Sequence, residues 1–249
     1  MPAFVGLDLA WTPGRPSGIC VLSSSGDVVR MEHVGRVVMT PTALARQVAT
    51  LGSTIYAAID APLVVAPDRR AEALLARRYG ASKAFAFHTS REWLSRNNAL
   101  AGPQLAEALG VRGFRHQGPP TARADGRYML EVFPHAAHVS LFGLAERLSY
   151  KRGVLAARAA VMAIYQRELD RLLRNSLPEL ANDTSIQRLL EPCVLPVTGS
   201  AMKLLEDQLD ALTCAIVAHH AWKAGPAGLD TFGCAEHGQI TVPRRLDDC

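Results

Sequence analysis

Apolar positions come first as short runs with the spacing of strands, and later as long runs with the spacing of helices. Residues 4–10, Phe4-Val5-Gly6-Leu7-Asp8-Leu9-Ala10, are apolar on both alternating faces, as in a strand buried in the middle of a sheet. The Pro and Gly punctuation of residues 11–18 predicts a loop. Runs at 19–22 and 28–34 flank Ser24-Ser25-Gly26-Asp27 and predict a hairpin, so the chain opens as a three-stranded antiparallel meander. Thr40 as N-cap and Pro41 as first helical residue predict a helix to residue 51. A strand over 55–60 ends in Asp60 and is stopped by Pro62, which lacks a backbone donor. A helix follows over 68–79, and a third core strand over 128–133 carries Glu131 and stops at Pro134. Helices over 154–174, 184–190 and 201–223 and an edge strand over 239–242 complete the pattern.

The stretch 80–126 fits neither period. It is rich in Arg, His, Asn, Gly and Pro and predicts one helix, over 91–109. Long irregular segments of this kind are usually functional or mobile. No repeat, low-complexity tract or linker divides the chain. The expectation is one α/β domain over 1–249 with an irregular helical insertion at about 63–126.

Against this apolar background the acids stand out. Asp8, Asp60 and Glu131 each sit in or at the end of a core strand, where an unpaired carboxylate would cost several kcal/mol. Asp207 and Asp210, three apart, share one face of the last helix, and Ala211, Cys214, Ala215 and Ala218 continue that face with small residues that allow close packing. Acids in the first turns of a helix also suit its dipole, which explains Asp207 alone but not Asp8 and Asp60. Together these acids point to a cation site. Oxygen-only donors suit Mg2+ or Mn2+, and a pair of such ions can activate water and stabilise a leaving oxygen in phosphodiester cleavage. A zinc site would use His or Cys; His135 and His138 are suitably spaced, but nothing completes the set. His219 and His220 read as cations near a helix C-terminus.

Composition narrows the class without deciding it. Hydrophobic content of 49% and charged content of 20% describe an ordinary globular chain, and a net charge of +4 permits an anionic partner without requiring one. Arg69, Arg70, Arg77 and Arg78 on the 68–79 helix predict a positive, nucleic-acid-binding surface beside the acids, and Lys151 and Arg152 predict a phosphate-holding turn. Cys20, Cys193, Cys214, Cys234 and Cys249 are odd in number and form no CxxC pair, which fits a reducing, cytoplasmic compartment. No basic, apolar, small-residue signal precedes the first strand and no apolar run approaches a membrane span, so a soluble protein is the expectation.

Three sets of residues carry a family resemblance. They are Gly6-x-Asp8-x-Ala10-Trp11 with Ile59-Asp60-Ala61-Pro62-Leu63; Glu131-Val132-Phe133-Pro134-His135 with Tyr150-Lys151-Arg152-Gly153; and Glu206-Asp207-Gln208-Leu209-Asp210-Ala211-Leu212 with Gly238-Gln239-Ile240-Thr241-Val242-Pro243. In this order they resemble domain-of-unknown-function family 429, and the late helix is similar to the last helix of Holliday-junction resolvases. The resemblance implies a ribonuclease H-like mixed sheet, three antiparallel strands followed by parallel ones and flanked by helices. It implies a predicted nuclease using Mg2+ or Mn2+ on Asp8, Asp60, Asp207 and Asp210. Glu131 and Lys151 join these as candidate catalytic residues, and nucleic acid of unspecified type is the implied partner. Two alternatives stay open: a nucleic-acid-binding or scaffold protein on the same fold without chemistry, and an actin-like or sugar-kinase ATPase. The ATPase would place Gly, Ser or Thr after the strand Asp, whereas Leu9-Ala10-Trp11 follows here.

Overall fold

The computed structural model describes residues 1–118, 120–192 and 198–244. Its main sheet has the order β3-β2-β1-β4-β5, built from β1 (Ala3–Asp8), β2 (Ser17–Ser25), β3 (Val28–Val37), β4 (Ile55–Ile59) and β5 (Arg127–Glu131). The first three strands are antiparallel, and β1-β4-β5 run parallel. This is the mixed α/β sheet expected from the sequence, three antiparallel strands followed by parallel ones, with β1 at its centre.

Helices follow in the order α1 (Pro41–Ala49), α2 (Ala71–Tyr79), α3 (Arg91–Arg96), α4 (Ala101–Gly110) and α5 (Pro134–Phe142). Then come α6 (Leu155–Ser176), α7 (Pro178–Ala181), α8 (Thr184–Leu190) and α9 (Gly199–Ala224). A second sheet pairs β6 (Leu229–Cys234) with β7 (Gly238–Pro243).

Several boundaries differ from the sequence reading, each for a local reason. The helix expected over 91–109 is two, because Asn98 turns through φ 50° between α3 and α4. Pro134 does not merely end β5; its fixed φ serves the first turn of α5, a helix buried on nearly every side and so without an apolar stripe to read. The strand at 239–242 is no free edge, since β6 pairs with it and Thr241 bridges to Val132. Cys20, Cys214 and Cys234 are free thiols, while Cys193 and Cys249 lie outside the described residues. Among the described residues, no helix is long and apolar enough to cross a membrane.

Alternation along the strands decides which residues meet which layer. Val5, Leu7, Ile19, Ala57, Ile59 and Met129 pack on the side of α1 and α4. Phe4, Cys20, Tyr56, Ala58, Leu130 and Val132 pack on the opposite side, under α6 and α9. The small-residue face of α9 lies directly on β1 and β2. A Cβ on Gly6 would come 1.9 Å from the Ala211 carbonyl oxygen, and one on Gly18 would come 2.1 Å from that of Asp207. Glycine is thus required where helix backbone meets strand backbone.

The far end of α9 corrects one expectation. His219 is buried and packs edge-on against Phe4 at 5.0 Å, so it is not a charged partner of the helix dipole. Burial, helped by Lys223, lowers its pKa to about 4 from 6.5. The unfolded chain therefore binds more protons than the folded one below about pH 6.5, and stability falls as pH falls through that window. His219 alone should cost about 2 kcal/mol between pH 7 and pH 5. The expected result is that His219→Leu loses less stability than the native chain over that step, read by urea unfolding at both pH values; equal losses would contradict it.

Candidate functional site

Three features of the chain converge at the carboxyl end of β1 and β4. In the parallel register Leu7 pairs with Ile59, so Asp8 and Asp60, one residue on, turn to the α9 side of the sheet. Both line a pocket of about 430 Å³ together with Trp11, Glu131, Lys151 and Arg152. The close seat of α9 on Gly6 and Gly18 brings the fully buried Asp210 to the same place. Among the described residues, no side chain is hydrogen-bonded to the carboxylate of Asp8 or Asp60.

Electrostatics tie these groups together. Burial pushes the pKa of Asp8 well up, the negative charges of Asp210 and Asp60 push it further, and Lys151 opposes them. Burial and Asp210 raise Asp60 to about 6 against the pull of Lys151. Asp210 goes the other way. Burial alone would raise its pKa, but Lys151, with its ammonium 2.8 Å from Oδ2, outweighs that and holds the carboxylate ionised. Tyr150 donates to Oδ1 at 2.7 Å, and the Tyr165 hydroxyl lies 3.2 Å from the same oxygen. Burial disfavours the Lys151 ammonium, yet Asp210, Asp8 and Asp60 together keep it protonated. Lys151 is thus the internal counter-ion of three acids.

The remaining sequence candidates are engaged by other partners or lie outside the pocket. Asp207 is buried, but Arg36 and Lys203 each hold one of its oxygens at 2.8 Å, apart from the pocket. Glu131 pairs in register with Ile59 and so faces away from Asp60. It accepts from the Leu63 N–H at 2.9 Å and from two nitrogens of Arg69, one at 3.1 Å. Arg69 also bonds Glu72 at 2.8 Å and has a side chain 1% exposed, so it is a core ion pair and not a phosphate contact. Arg70, Arg77 and Arg78 are exposed, but none lines the acid pocket. Its cations are Lys151, Arg152 and Arg147, the last without any sequence signal beyond residue type. The irregular stretch does reach the acids, but through Phe85, Ala86 and Phe87.

Donor chemistry can be tested against a metal ion. Among the described residues, no three of His, Cys, Asp and Glu are placed to hold one ion between them. Two pocket-facing carboxylates without a protein donor remain, Asp8 and Asp60. Mg2+ and Mn2+ fit such a pair, because they accept one or two carboxylates and keep several waters, while no Cys or His set for zinc accompanies them.

A family model described as "Protein of unknown function (DUF429)" matches residues 6–229. Among solved structures, "T. thermophilus RuvC in complex with Holliday junction substrate" is similar at 11% identity, over 88% of this chain and 98% of that chain, with a TM-score of 0.37. No curated protein matches the sequence.

Proposed function

This chain belongs to the DUF429 family, and we propose that it is a divalent-metal-dependent nuclease whose centre is Asp8, Asp60, Asp210 and Lys151. The observation that carries this reading is the pair of pocket-facing carboxylates, Asp8 and Asp60, which have raised proton affinities and, among the described residues, no side-chain donor. Such a pair calls for a cation. Asp8 and Asp60 would hold Mg2+ or Mn2+, which when bound supplies Lewis-acid polarisation of a phosphoryl oxygen and a more acidic water. Lys151, fixed by Asp210, offers its ammonium to the developing negative charge, and Arg147 and Arg152 hold neighbouring phosphates along the pocket wall. Tyr150 and Tyr165, both kept protonated by burial, fix the Asp210 carboxylate and through it Lys151.

One observation favours a second reading, a nucleic-acid-binding protein without chemistry: Lys151 already neutralises Asp210. The test is a cleavage assay of the full chain on labelled single-stranded, duplex and junction nucleic acids, DNA and RNA, across a Mn2+ titration. Metal-dependent products are expected, absent with EDTA and reduced at least about 100-fold in Asp60→Asn. Binding without cleavage at every Mn2+ level would leave the second reading standing.

A further inference from the structure

Part of the lining of the acid pocket is aromatic and open to solvent. Phe87 lies 4.8 Å from Trp93 and 6.4 Å from Trp11, ring centre to ring centre, and Trp11 lies 6.4 Å from Trp93. Phe85 and Phe87 are 58% and 56% exposed, and Trp93 is 37% exposed. Trp11, Phe85 and Phe87 line the same pocket as Asp8 and Asp60, while Arg147 and Arg152 line it as well. Three rings at one pocket, with Trp93 packed against Phe87, leave more apolar area in water than a scattered surface aromatic would, and such patches mark a binding surface.

From this juxtaposition we infer that the pocket takes an unpaired nucleotide, so that the substrate is single-stranded nucleic acid or an unpaired stretch within a larger one. The inference rests on the nuclease reading for what happens to the phosphate, but on the rings for what is bound. A ring cluster beside cations matches a nucleotide in both its parts. The base has a π-face to lay on Phe87 and its neighbours, and the phosphates have Arg147, Arg152 and Lys151. In an intact duplex the base faces are covered by their neighbours in the stack, so the rings have nothing to stack on. An apolar protein partner would use the rings but leave the adjoining acids and cations unmatched.

The distinguishing measurement is binding in EDTA, where no cleavage interferes. Fluorescence anisotropy follows a labelled oligothymidylate of about 20 nucleotides and its duplex with oligodeoxyadenylate. The native chain should bind the single strand at least about 10-fold more tightly than the duplex, and Phe87→Ala should remove about that factor for the single strand while leaving the duplex unchanged. Phe87→Tyr, which keeps a stacking face, should restore it. Because Phe87 is exposed, the variant should fold, and a thermal melt checks that it does. Of the three tryptophans, Trp222 is buried, so quenching of tryptophan emission by the single strand would report Trp11 and Trp93. Equal affinity for duplex and single strand, absence of quenching, or an equal loss for both ligands in Phe87→Ala would overturn the inference. The outcomes separate the two readings. Ring-dependent single-strand binding without cleavage in Mn2+ removes the nuclease and keeps this inference. Asp60-dependent cleavage without strand preference does the reverse.

Discussion

Asp210→Asn is expected to lower metal-dependent cleavage by about 100-fold or more, whereas Asp207→Asn should change it only a few-fold. The two acids stand three apart on α9 and look equivalent in the sequence, but their surroundings differ. Asp210 is fully buried, takes hydrogen bonds from tyrosine hydroxyls, and fixes the Lys151 ammonium beside Asp8 and Asp60. An Asn there can still accept from Tyr150 but no longer anchors the ammonium, so Lys151 leaves the position that stabilises charge. Asp207 pairs with Arg36 and Lys203, whose side chains are 27% and 49% exposed and can turn to water when the partner is removed. Its loss should register as about 1–3 kcal/mol of stability, the usual cost of a broken buried hydrogen-bonded pair. Initial rates at several Mn2+ concentrations, beside urea unfolding of both variants, check the order. Cleavage abolished by Asp207→Asn and spared by Asp210→Asn would reverse it.

Arg69→Met should be the most destabilising of the substitutions considered, at about 3–5 kcal/mol. The guanidinium is shared between Glu72 and Glu131, and all three side chains are 5% exposed or less. Removing it leaves two buried carboxylates with their charged partner gone. Thr89 and the Leu63 N–H remain as donors, one to each acid, and cannot supply a charge. Combining Arg69→Met with Glu131→Gln should recover part of the loss, because the second change removes one stranded charge, and neighbours in one network are not additive. Nucleic-acid affinity per folded molecule should be unchanged in Arg69→Met, since the arginine presents nothing to the surface. A stable variant with weakened binding would return Arg69 to the phosphate-binding role that its sequence context suggested. Urea unfolding and anisotropy on the same preparations decide between them.

Much of the architecture is legible in residue order alone, because the period of apolar positions and the turn chemistry of Pro and Gly are local properties. The meander, the core strands carrying Asp8 and Asp60, and the small-residue face of the last helix all follow from that. The helix at Pro134–Phe142 and the strand Leu229–Cys234 escaped it. The first is buried all round and has no stripe, and the second carries Asp and Gly where a strand signal needs β-branched residues. Charge sign and residue type also brought Asp8, Asp60 and Asp210 forward as acids on core elements, but could not say which acids share a face.

That last decision belongs to the tertiary structure, through register and contact. Glu131 looks like a third member of the strand-acid set, yet it aligns with Ile59 and not with Asp60, and alternation then sends it to the other side of the sheet. Arg69 reads as one of four surface cations until its buried glutamate partners are seen. Phe85, Phe87 and Arg147 come to the acid pocket from loops far along the chain, and no spacing rule joins them. A sequence records which groups are available and how each segment repeats. Which groups are neighbours depends on how strands align and where helix backbone can touch sheet backbone, and here two glycines, Gly6 and Gly18, set that contact.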